Sequence, residues 1–433
     1  MSNSELAAHV LLQLLVILAV CQVVGALATR LGQPRVVGEM IAGVLLGPSL
    51  LGLLLPEWKE FLFPTGPSMT ILAALSHLGL VLFMFLVGLE FDTELIRHKV
   101  RSAFAISAAG ILTPLALGSV TALVFLAEPG RYFSPDVVPW QAMLFIGSAV
   151  SITAFPMLAR IIVERGLAGT RLGTLALACA ATDDGVCWCL FAIVLATFSG
   201  DPALAVVAVA GGLIYVVATL TAGRNLLRRF SSVTRRPGGF GPRNLVQVLI
   251  LLLAAAWLTD EIGIYAIFGA FILGAAMPRG DFREAVRERV GPLTISLLLP
   301  LFFVYSGLNT QIGLVNSPYL WAMTLLVVVV AILGKGVACY VAARLSGEPH
   351  GEAFALGSLM NARGLMELIL LNIGLQAGLI TPTLFTIFVL MAVVTTLMAT
   401  PLFEFALRRQ RAAGRTHGYE NTAPAVEPAK GRA

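Results

Sequence analysis

Residues 175–199 read LALACAATDDGVCWCLFAIVLATFS, an apolar run long enough to cross a bilayer. Two adjacent acids, Asp183 and Asp184, lie near the middle of this run. An ionised carboxylate is costly to hold in hydrocarbon, so acids at that depth line a polar cavity, pair with a cation or exchange protons. The sequence therefore predicts that this acid pair is the functional centre.

The composition indicates an all-α polytopic membrane protein. The chain has 433 residues, of which 58% are hydrophobic and 12% are charged, and its mean hydropathy is +0.89. Soluble domains have about a quarter charged residues. The net charge of +5 could suggest nucleic acid, but the basic residues lie between apolar runs, where they are topology signals. We therefore predict the lipid bilayer as the surroundings, and no nucleic-acid partner.

Hydropathy divides the chain into about thirteen transmembrane helices. Their predicted centres are near Val16, Val44, Leu82, Leu115, Ser148, Cys187, Val209, Leu252, Phe271, Leu301, Val329, Leu368 and Leu390. Nearly all basic residues fall in alternate loops, so the positive-inside rule places the N-terminus outside and the C-terminus in the cytoplasm. We expect the membrane to be a bacterial inner membrane. Residues 411–433 are polar and rich in Pro and Ala, which predicts a disordered cytoplasmic tail after a transmembrane domain of residues 1–410.

Thirteen spans divide into six, one linker and six, which predicts two inverted repeats. Weak self-similarity agrees with this division. Span two reads AGVLLG from Ala42 and span nine reads GAFILG from Gly269, while spans three and ten share a Gly-Leu pair at Gly88 and Gly307. Span n of the first repeat should therefore match span n plus seven.

The fifth span, GSAVSITAFPMLAR, is predicted to be a broken helix. Pro156 cannot donate a hydrogen bond to the carbonyl of Ile152, and the hydroxyls of Ser151 and Thr153 crowd the same turn. The alternative is an ordinary helix with a proline kink.

The twelfth span, GSLMNARGLMEL, is the repeat partner of the fifth and is predicted to break as well. Asn361, Arg363 and Gly364 interrupt its apolar run, although they could also be a tolerated polar patch. Paired broken helices indicate an ion site at the membrane midplane, because freed carbonyls and half-helix ends supply partial charges there.

Two basic residues fall within apolar spans: Lys335 in the eleventh and Arg363 in the twelfth. Both are candidate partners for the buried acids. Arg363 and Glu367 have the spacing of a pair on one helix face, which leaves a structural salt bridge and a gating role both open. By contrast, the acids Glu39, Glu90, Asp260 and Glu261 lie near span ends, where we expect interfacial positions.

Adjacent helical residues point about 100° apart, so Asp183 and Asp184 should have different roles. One can lie against a cation while the other binds a proton or a small monovalent cation in turn. Oxygens from Thr153 and freed carbonyls suit Na⁺ or K⁺, no thiolate or imidazole cluster is predicted, and no histidine is placed at midplane. We predict no cofactor.

Competition between a proton and a cation for one acid predicts an antiporter rather than an enzyme. A gated K⁺ efflux channel is the alternative within transport. An intramembrane aspartyl protease also needs two acids, but they must approach from separate helices to share a proton, whereas these are neighbours.

Four stretches resemble the monovalent cation:proton antiporter-2 family, especially its cation/proton exchanger branch: SITAFPMLAR at Ser151, ATDDGVCWCLFAIVLA at Ala181, TDEIGIYAIFGAFILG at Thr259 and LMNARGLMELILLNIGL at Leu359. The stretches QPRVVGEMIAGVLLGPSLLG and LFMFLVGLEFD are similar to the family pattern too. The resemblance covers nearly all of the chain up to about Ala406.

The resemblance implies a sodium/proton antiporter fold with crossed broken helices and elevator-like transport. It implies a division into spans 1–3 and 8–10 for homodimerisation and spans 4–6 and 11–13 for the ion-transport core. Asp184 matches the ion- and proton-binding acid, and Asp183 matches the neighbour that pairs with a lysine located like Lys335. Plant-like exchangers usually have Asn-Asp here, so the acid pair leaves stoichiometry and ion choice open.

Overall fold

The computed structural model describes residues 2–33, 35–90, 100–167, 169–199, 202–231, 240–278, 280–308, 313, 315–363, 367, 370–371, 374–375 and 378–412. These residues form helices and no strand beyond an isolated bridge between Phe133 and Ile380. The helices of the first half are α1 Asn3–Arg30, α2 Arg35–Leu46, α3 Leu51–Leu54, α4 Pro56–Leu62, α5 Pro67–Glu90, α6 Val100–Leu126, α7 Pro139–Ser151, α8 Phe155–Glu164, α9 Arg171–Ser199, α10 Pro202–Ala218 and α11 Arg224–Ser231. Those of the second half are α12 Pro242–Glu261, α13 Ala266–Ala276, α14 Asp281–Leu293, α15 Leu299–Leu308, α16 Pro318–Ala331, α17 Ala338–Leu345, α18 His350–Met360 and α19 Pro382–Ala412.

Among the described residues, 9 helical segments are long and apolar enough to cross a membrane, and α13 is a shorter apolar helix. Every predicted span centre except Leu368 lies within a described helix, and Leu368 lies outside the described residues. The fold class is therefore confirmed, whereas the count of thirteen is not. The predicted tail also lies outside the description from residue 413 onward.

The outer faces of several helices are apolar and exposed. On α1, Leu11 and Leu15 are each 66% exposed and Val23 is 70% exposed. A soluble protein does not leave such a continuous apolar face in water, so these side chains are placed for contact with lipid or a second copy.

Two helix crossings depend on glycine. At the crossing of α2 and α15, a Cβ on Gly43 would lie 2.5 Å from the carbonyl oxygen of Val304, and one on Gly307 would lie 2.5 Å from the carbonyl carbon of Gly43. At the crossing of α13 and α5, a Cβ on Gly274 would lie 3.0 Å from the Cα of Gly88. Backbones can approach this closely only where neither residue has a side chain.

The two crossings are equivalent under the predicted repeat. Helix α2 corresponds to span two and α13 to span nine, while α5 corresponds to span three and α15 to span ten. Each crossing thus pairs one AGVLLG-like segment with one Gly-Leu pair from the opposite repeat. This reciprocal contact is what an inverted repeat produces, so the weak sequence similarity has a structural counterpart.

The structure describes helix ends at both predicted breaks. Helix α7 ends at Ser151 and α8 begins at Phe155, and helix α18 ends at Met360. The two interrupted segments are in contact, because the main-chain N–H of Ala154 donates a hydrogen bond to the carbonyl oxygen of Ala362 at 3.2 Å.

The end of α8 contacts the turn between α1 and α2 through polar groups. The carboxylate of Glu164 accepts hydrogen bonds from Arg160 Nε at 2.7 Å and from the main-chain N–H of Arg35 at 2.9 Å. Arg165 donates to the carbonyl of Gly32 at 2.7 Å. Glu39 also lies at this contact: it is 6% exposed and within electrostatic range of Arg160 and Glu164.

Candidate functional site

Helix α9 places the two acids in the interior of the molecule. Asp183 is 0% exposed and Asp184 is 1% exposed. Both lie roughly 20 Å along α9 from its start at Arg171, which is well inside a bilayer of about 30 Å hydrocarbon thickness. The two carboxylates have different neighbours, as their angular separation on the helix requires.

Asp183 lies at the centre of a hydrogen-bonded cluster. Its Oδ2 accepts from Lys335 Nζ at 2.5 Å and from the Thr153 hydroxyl at 3.1 Å, and its Oδ1 accepts from the Ser107 hydroxyl. The side chains of Asp183 and Lys335 are both fully buried. A buried ion pair is stable only when its remaining hydrogen-bonding capacity is met, and here three separate helical regions meet it.

Lys335 reaches Asp183 from an irregular stretch of helix. Residues Ile332–Val337 form a π-helical segment between α16 and α17, and such segments are common at functional sites. Besides Asp183, Lys335 Nζ donates to the main-chain carbonyl of Ser151 at 2.7 Å. That carbonyl is available because the helix stops at Ser151, so the first break supplies a ligand to the lysine.

The predicted residues of the fifth span occupy the first break as follows. Ser151 turns its hydroxyl back to the carbonyls of Gly147 at 2.7 Å and Ile111 at 3.1 Å. Thr153 contacts Asp183 rather than a site shared by both acids. Pro156 lies in the first turn of α8, where its missing N–H costs no helical hydrogen bond.

The residues of the second break are buried but less completely bonded. Arg363 is 0% exposed, and its Nη1 donates to the carbonyl of Ala149 at 3.4 Å. Its main-chain N–H donates to the Thr396 hydroxyl at 3.1 Å, and this hydroxyl donates back to the Arg363 carbonyl. The Oδ1 of Asn361 has no hydrogen-bond partner among the described residues. The predicted Gly364 lies outside the described residues.

Glu367, four residues after Arg363 in the sequence, is also fully buried. Within the described part of the chain, neither of its carboxylate oxygens has a hydrogen-bond partner and no ion pair joins it to Arg363. The two charges still lie within electrostatic range of each other. The second break therefore holds opposite charges at a distance, whereas Asp183 and Lys335 are in direct contact.

Two polar residues near the site were missed by the sequence reasoning. Ser107 on α6 was indistinguishable from other serines in apolar spans, and only its bond to Asp183 identifies it. His77 was assigned no midplane position, yet it lies roughly 15 Å along α5 from Pro67 and bonds to Tyr265. The position of His77 along its helix could not be predicted without knowing that α5 starts at Pro67.

The groups present suit a hard monovalent cation better than a transition metal. Among the described residues there is no group of three or more His, Cys, Asp or Glu that could hold a metal ion. Besides the Lys335 ammonium, the polar groups near Asp183 and Asp184 include carboxylates, hydroxyls and main-chain carbonyls, and hard cations prefer such oxygens.

Comparison with known proteins identifies the family. The family model described as sodium/hydrogen exchanger, transmembrane, matches residues 15–409. The Na(+)/H(+) antiporter NhaS4 of Synechocystis sp. is 43% identical over 401 residues, covering 91% of this chain and 96% of the relative. Cation/H(+) antiporter 18 of Arabidopsis thaliana is 36% identical over 418 residues, covering 95% of this chain but 51% of the relative. The chain thus spans nearly all of the cyanobacterial relative and about half of the plant one.

A solved structure agrees on the fold. The sodium proton antiporter MjNhaP1 from Methanocaldococcus jannaschii superposes with a TM-score of 0.61 at 14% sequence identity, covering 96% of this chain and 100% of that chain. At this identity the likeness concerns the fold alone. The resemblance expected from the four sequence motifs is confirmed at the level of family and fold.

Proposed function

This chain belongs to the sodium/hydrogen exchanger family, and we propose from that premise that it exchanges a monovalent cation, Na⁺ or K⁺, for protons across the membrane by alternating access. The names of its relatives support this proposal, since one specifies Na⁺ and the other only a cation. The protein is a transporter and not an enzyme.

We assign Asp184 the exchange step. The observation that carries this assignment is that Asp183 is already bonded to protein groups, since it accepts hydrogen bonds from Lys335, Ser107 and Thr153. Asp184 is its buried neighbour on the same helix, and burial favours any ligand that cancels its charge. A proton and a cation both do so, and they cannot be held together. Occupation by one therefore releases the other.

The test is transport by the purified protein in proteoliposomes that hold a proton gradient. Addition of Na⁺ or K⁺ should dissipate the gradient, and Asp184→Asn should abolish the response. Asp136→Asn is the matched control, because Asp136 is an acid on the exposed surface between α6 and α7. Normal exchange by Asp184→Asn would refute the assignment, and cation flux that ignores the gradient would instead indicate a channel.

Asp183 and Lys335 bear on the stoichiometry. If cation entry separates this pair, Lys335 can release its proton together with the proton from Asp184, and two protons would move against one cation. We propose that exchange is electrogenic for this reason. An imposed membrane voltage should then change the exchange rate, and a rate that is the same at all voltages would contradict the proposal.

We further propose a homodimer in the inner membrane, with the N-terminus outside and the C-terminus in the cytoplasm. Spans 1–3 and 8–10 would form the dimer contact, and spans 4–6 and 11–13 would move as the core. A separate apolar cluster of α1, α2, α5 and α15 supports this division, and it includes Ile17, Leu72 and Leu301. Single-molecule mass measurement in nanodiscs tests the dimer: a uniform monomer mass would exclude it.

A further inference from the structure

A cavity of about 400 Å³ lies between the π-helical segment Ile332–Val337, helix α18 and helix α19. We call Ile332–Val337 the Lys335 segment. The cavity wall is mainly apolar, with side chains that include Phe354, Met398 and Leu402. None of the described residues that line it is an aspartate, glutamate, lysine or arginine. The volume is typical of small-molecule sites, and the lining suits an uncharged molecule because a charge buried here would have no partner.

One polar group in this lining lacks a hydrogen bond. Asn361, directly after α18, is 1% exposed, and its Oδ1 has no hydrogen-bond partner among the described residues. Ser358 lines the cavity as well, but its hydroxyl donates to the carbonyl of Phe354 at 2.8 Å. A buried amide oxygen without a donor is unfavourable. A molecule in the cavity that presents an O–H group to Asn361 would supply that donor.

The polar groups nearer the start of α18 already bond to each other. The Tyr340 hydroxyl oxygen and His350 Nδ1 are 2.9 Å apart and share a hydrogen bond. The Tyr340 ring also meets the ring of Phe354, with centroids 6.4 Å apart. This aromatic wall requires no polar group from a ligand, so a single hydroxyl on an apolar body matches the lining.

The cavity borders a surface that faces lipid. Val337, one of its lining residues, is 43% exposed and belongs to the membrane-crossing segment Pro318–Leu345. Leu333 and Val341, one helical turn to either side, are 50% and 44% exposed. Apolar side chains exposed at this depth contact hydrocarbon rather than water. A molecule dissolved in the bilayer can therefore reach the cavity from the side.

We propose that this cavity is a regulatory site: it binds an uncharged amphiphile from the bilayer, whose single hydroxyl group donates to Asn361 Oδ1 and whose apolar body fills the space between the helices, and its occupation slows exchange. A hydroxyl suits the site because it can donate to the amide oxygen without bringing a charge into the membrane.

The effect on exchange rests on the proposed function. Gly336 directly follows Lys335, and the main chain of Gly336 meets α18 so closely that a Cβ on Gly357 would lie 2.6 Å from the Gly336 carbonyl oxygen. A bound molecule adds apolar contacts that hold the Lys335 segment against α18 and α19. It therefore opposes the separation of Lys335 from Asp183 that cation entry is proposed to cause.

Binding is measured on the full chain in phospholipid nanodiscs with a photoreactive diazirine derivative of 1-octanol. Irradiation followed by mass spectrometry should locate the label on peptides that contain Phe354 or Met398. Unlabelled 1-octanol should compete about tenfold more strongly than n-octane at equal bilayer concentration, which is the effect of about one hydrogen bond. Asn361→Leu should keep the labelling but remove this preference, because it replaces the acceptor with an apolar group of similar size.

Ser358→Phe should abolish the labelling, because the larger side chain fills the cavity. Thr221→Phe is the matched control, since the Thr221 hydroxyl also bonds to the carbonyl four residues before it but is exposed on another helix. In proteoliposomes, 1-octanol should slow exchange by wild type and by Thr221→Phe, and it should not slow exchange by Ser358→Phe.

Equal competition by 1-octanol and n-octane in wild type would overturn the inference, because it would indicate a lipid acyl chain as the occupant. Labelling that persists in Ser358→Phe would place the label elsewhere and also overturn it. Labelling as expected with no slowing of wild-type exchange would overturn the regulatory role while the proposed function stands. A wild type that exchanges no cation for protons even without 1-octanol refutes the proposed function and the regulatory role together, while the labelling still decides whether the site exists.

Discussion

The two broken helices are related by the repeat but differ in how their polar groups are bonded. At the first break, the Ser151 carbonyl and the Thr153 hydroxyl hold Lys335 and Asp183 in direct contact. At the second break, Arg363 and Glu367 are equally buried, yet Glu367 makes no hydrogen bond within the described part of the chain. The two repeats thus share the position of the helix interruption but differ in how the polar groups there are bonded.

This difference separates two roles that a symmetric fold would otherwise duplicate. A buried ion pair in direct contact, with further hydrogen bonds to both partners, stabilises the structure in which it forms, whereas buried groups without direct contact contribute less. The first break is therefore the more firmly bonded half of the site in this structure, and cation entry has to overcome that bonding to separate Asp183 from Lys335. We expect substitutions there to cost more stability than matched substitutions at the second break.

The largest expected effect is at Lys335. Lys335→Met should destabilise the protein by about 3–5 kcal/mol, because it leaves the Asp183 charge buried and uncompensated. Thermal unfolding in detergent measures the loss. Lys59→Met is the control, since Lys59 pairs with Glu60 at the surface and its removal should have a small effect. If the two variants unfold at the same temperature, the first break is not the more firmly bonded half of the site.

The next effect compares two threonines. Thr153→Val removes a hydrogen bond to a charged group and should cost about 1.5–3 kcal/mol, and it should also alter exchange. Thr396→Val leaves the N–H and carbonyl of Arg363 without their partner and should cost about 1–3 kcal/mol. Thermal unfolding and proteoliposome exchange, measured on the same preparations, distinguish the two variants: both should lose stability, and Thr153→Val should also alter exchange. Equal loss of exchange in both variants would remove the functional contrast between the breaks.

A smaller effect is expected at Glu367. Glu367→Gln removes a Coulomb attraction to Arg363 but no hydrogen bond or direct contact within the described residues, so it should cost less than the loss of about 3–5 kcal/mol expected on breaking a buried pair in contact. Asp183→Asn is the counterpart at the first break and should cost several times more. Equal shifts in the unfolding temperature would mean that Arg363 and Glu367 are as tightly coupled as Lys335 and Asp183.

The smallest effect lies at the surface, after α6. Hydrogen bonds from Tyr319 and Arg131 lower the pKa of Glu128 below its ordinary value. This contribution to stability is present above the ordinary carboxyl pKa and is lost as the pH falls through the lowered one. Tyr319→Phe should flatten the dependence of the unfolding temperature on pH in that range. A slope unchanged by the substitution would contradict the assignment.

The helix interruptions and the charged pair could be predicted from the sequence because each departs from a strong rule. Pro156 cannot continue a helix, and Lys335 in an apolar span requires a partner. The link between Ala154 and Ala362 could not be predicted, because it joins main-chain groups and alanine carries no side-chain signal. Ser107 was likewise hidden, since hydroxyls within apolar spans often bond only to their own helix.

The glycine crossings have a mechanical consequence. Where main chain touches main chain, as at Gly43 with Gly307 and Gly88 with Gly274, helices cannot slide or roll past each other without first lifting apart. Any large displacement must then occur along another boundary. The end of α8 offers one, because Arg165 and Glu164 meet the turn before α2 through hydrogen bonds that water can replace.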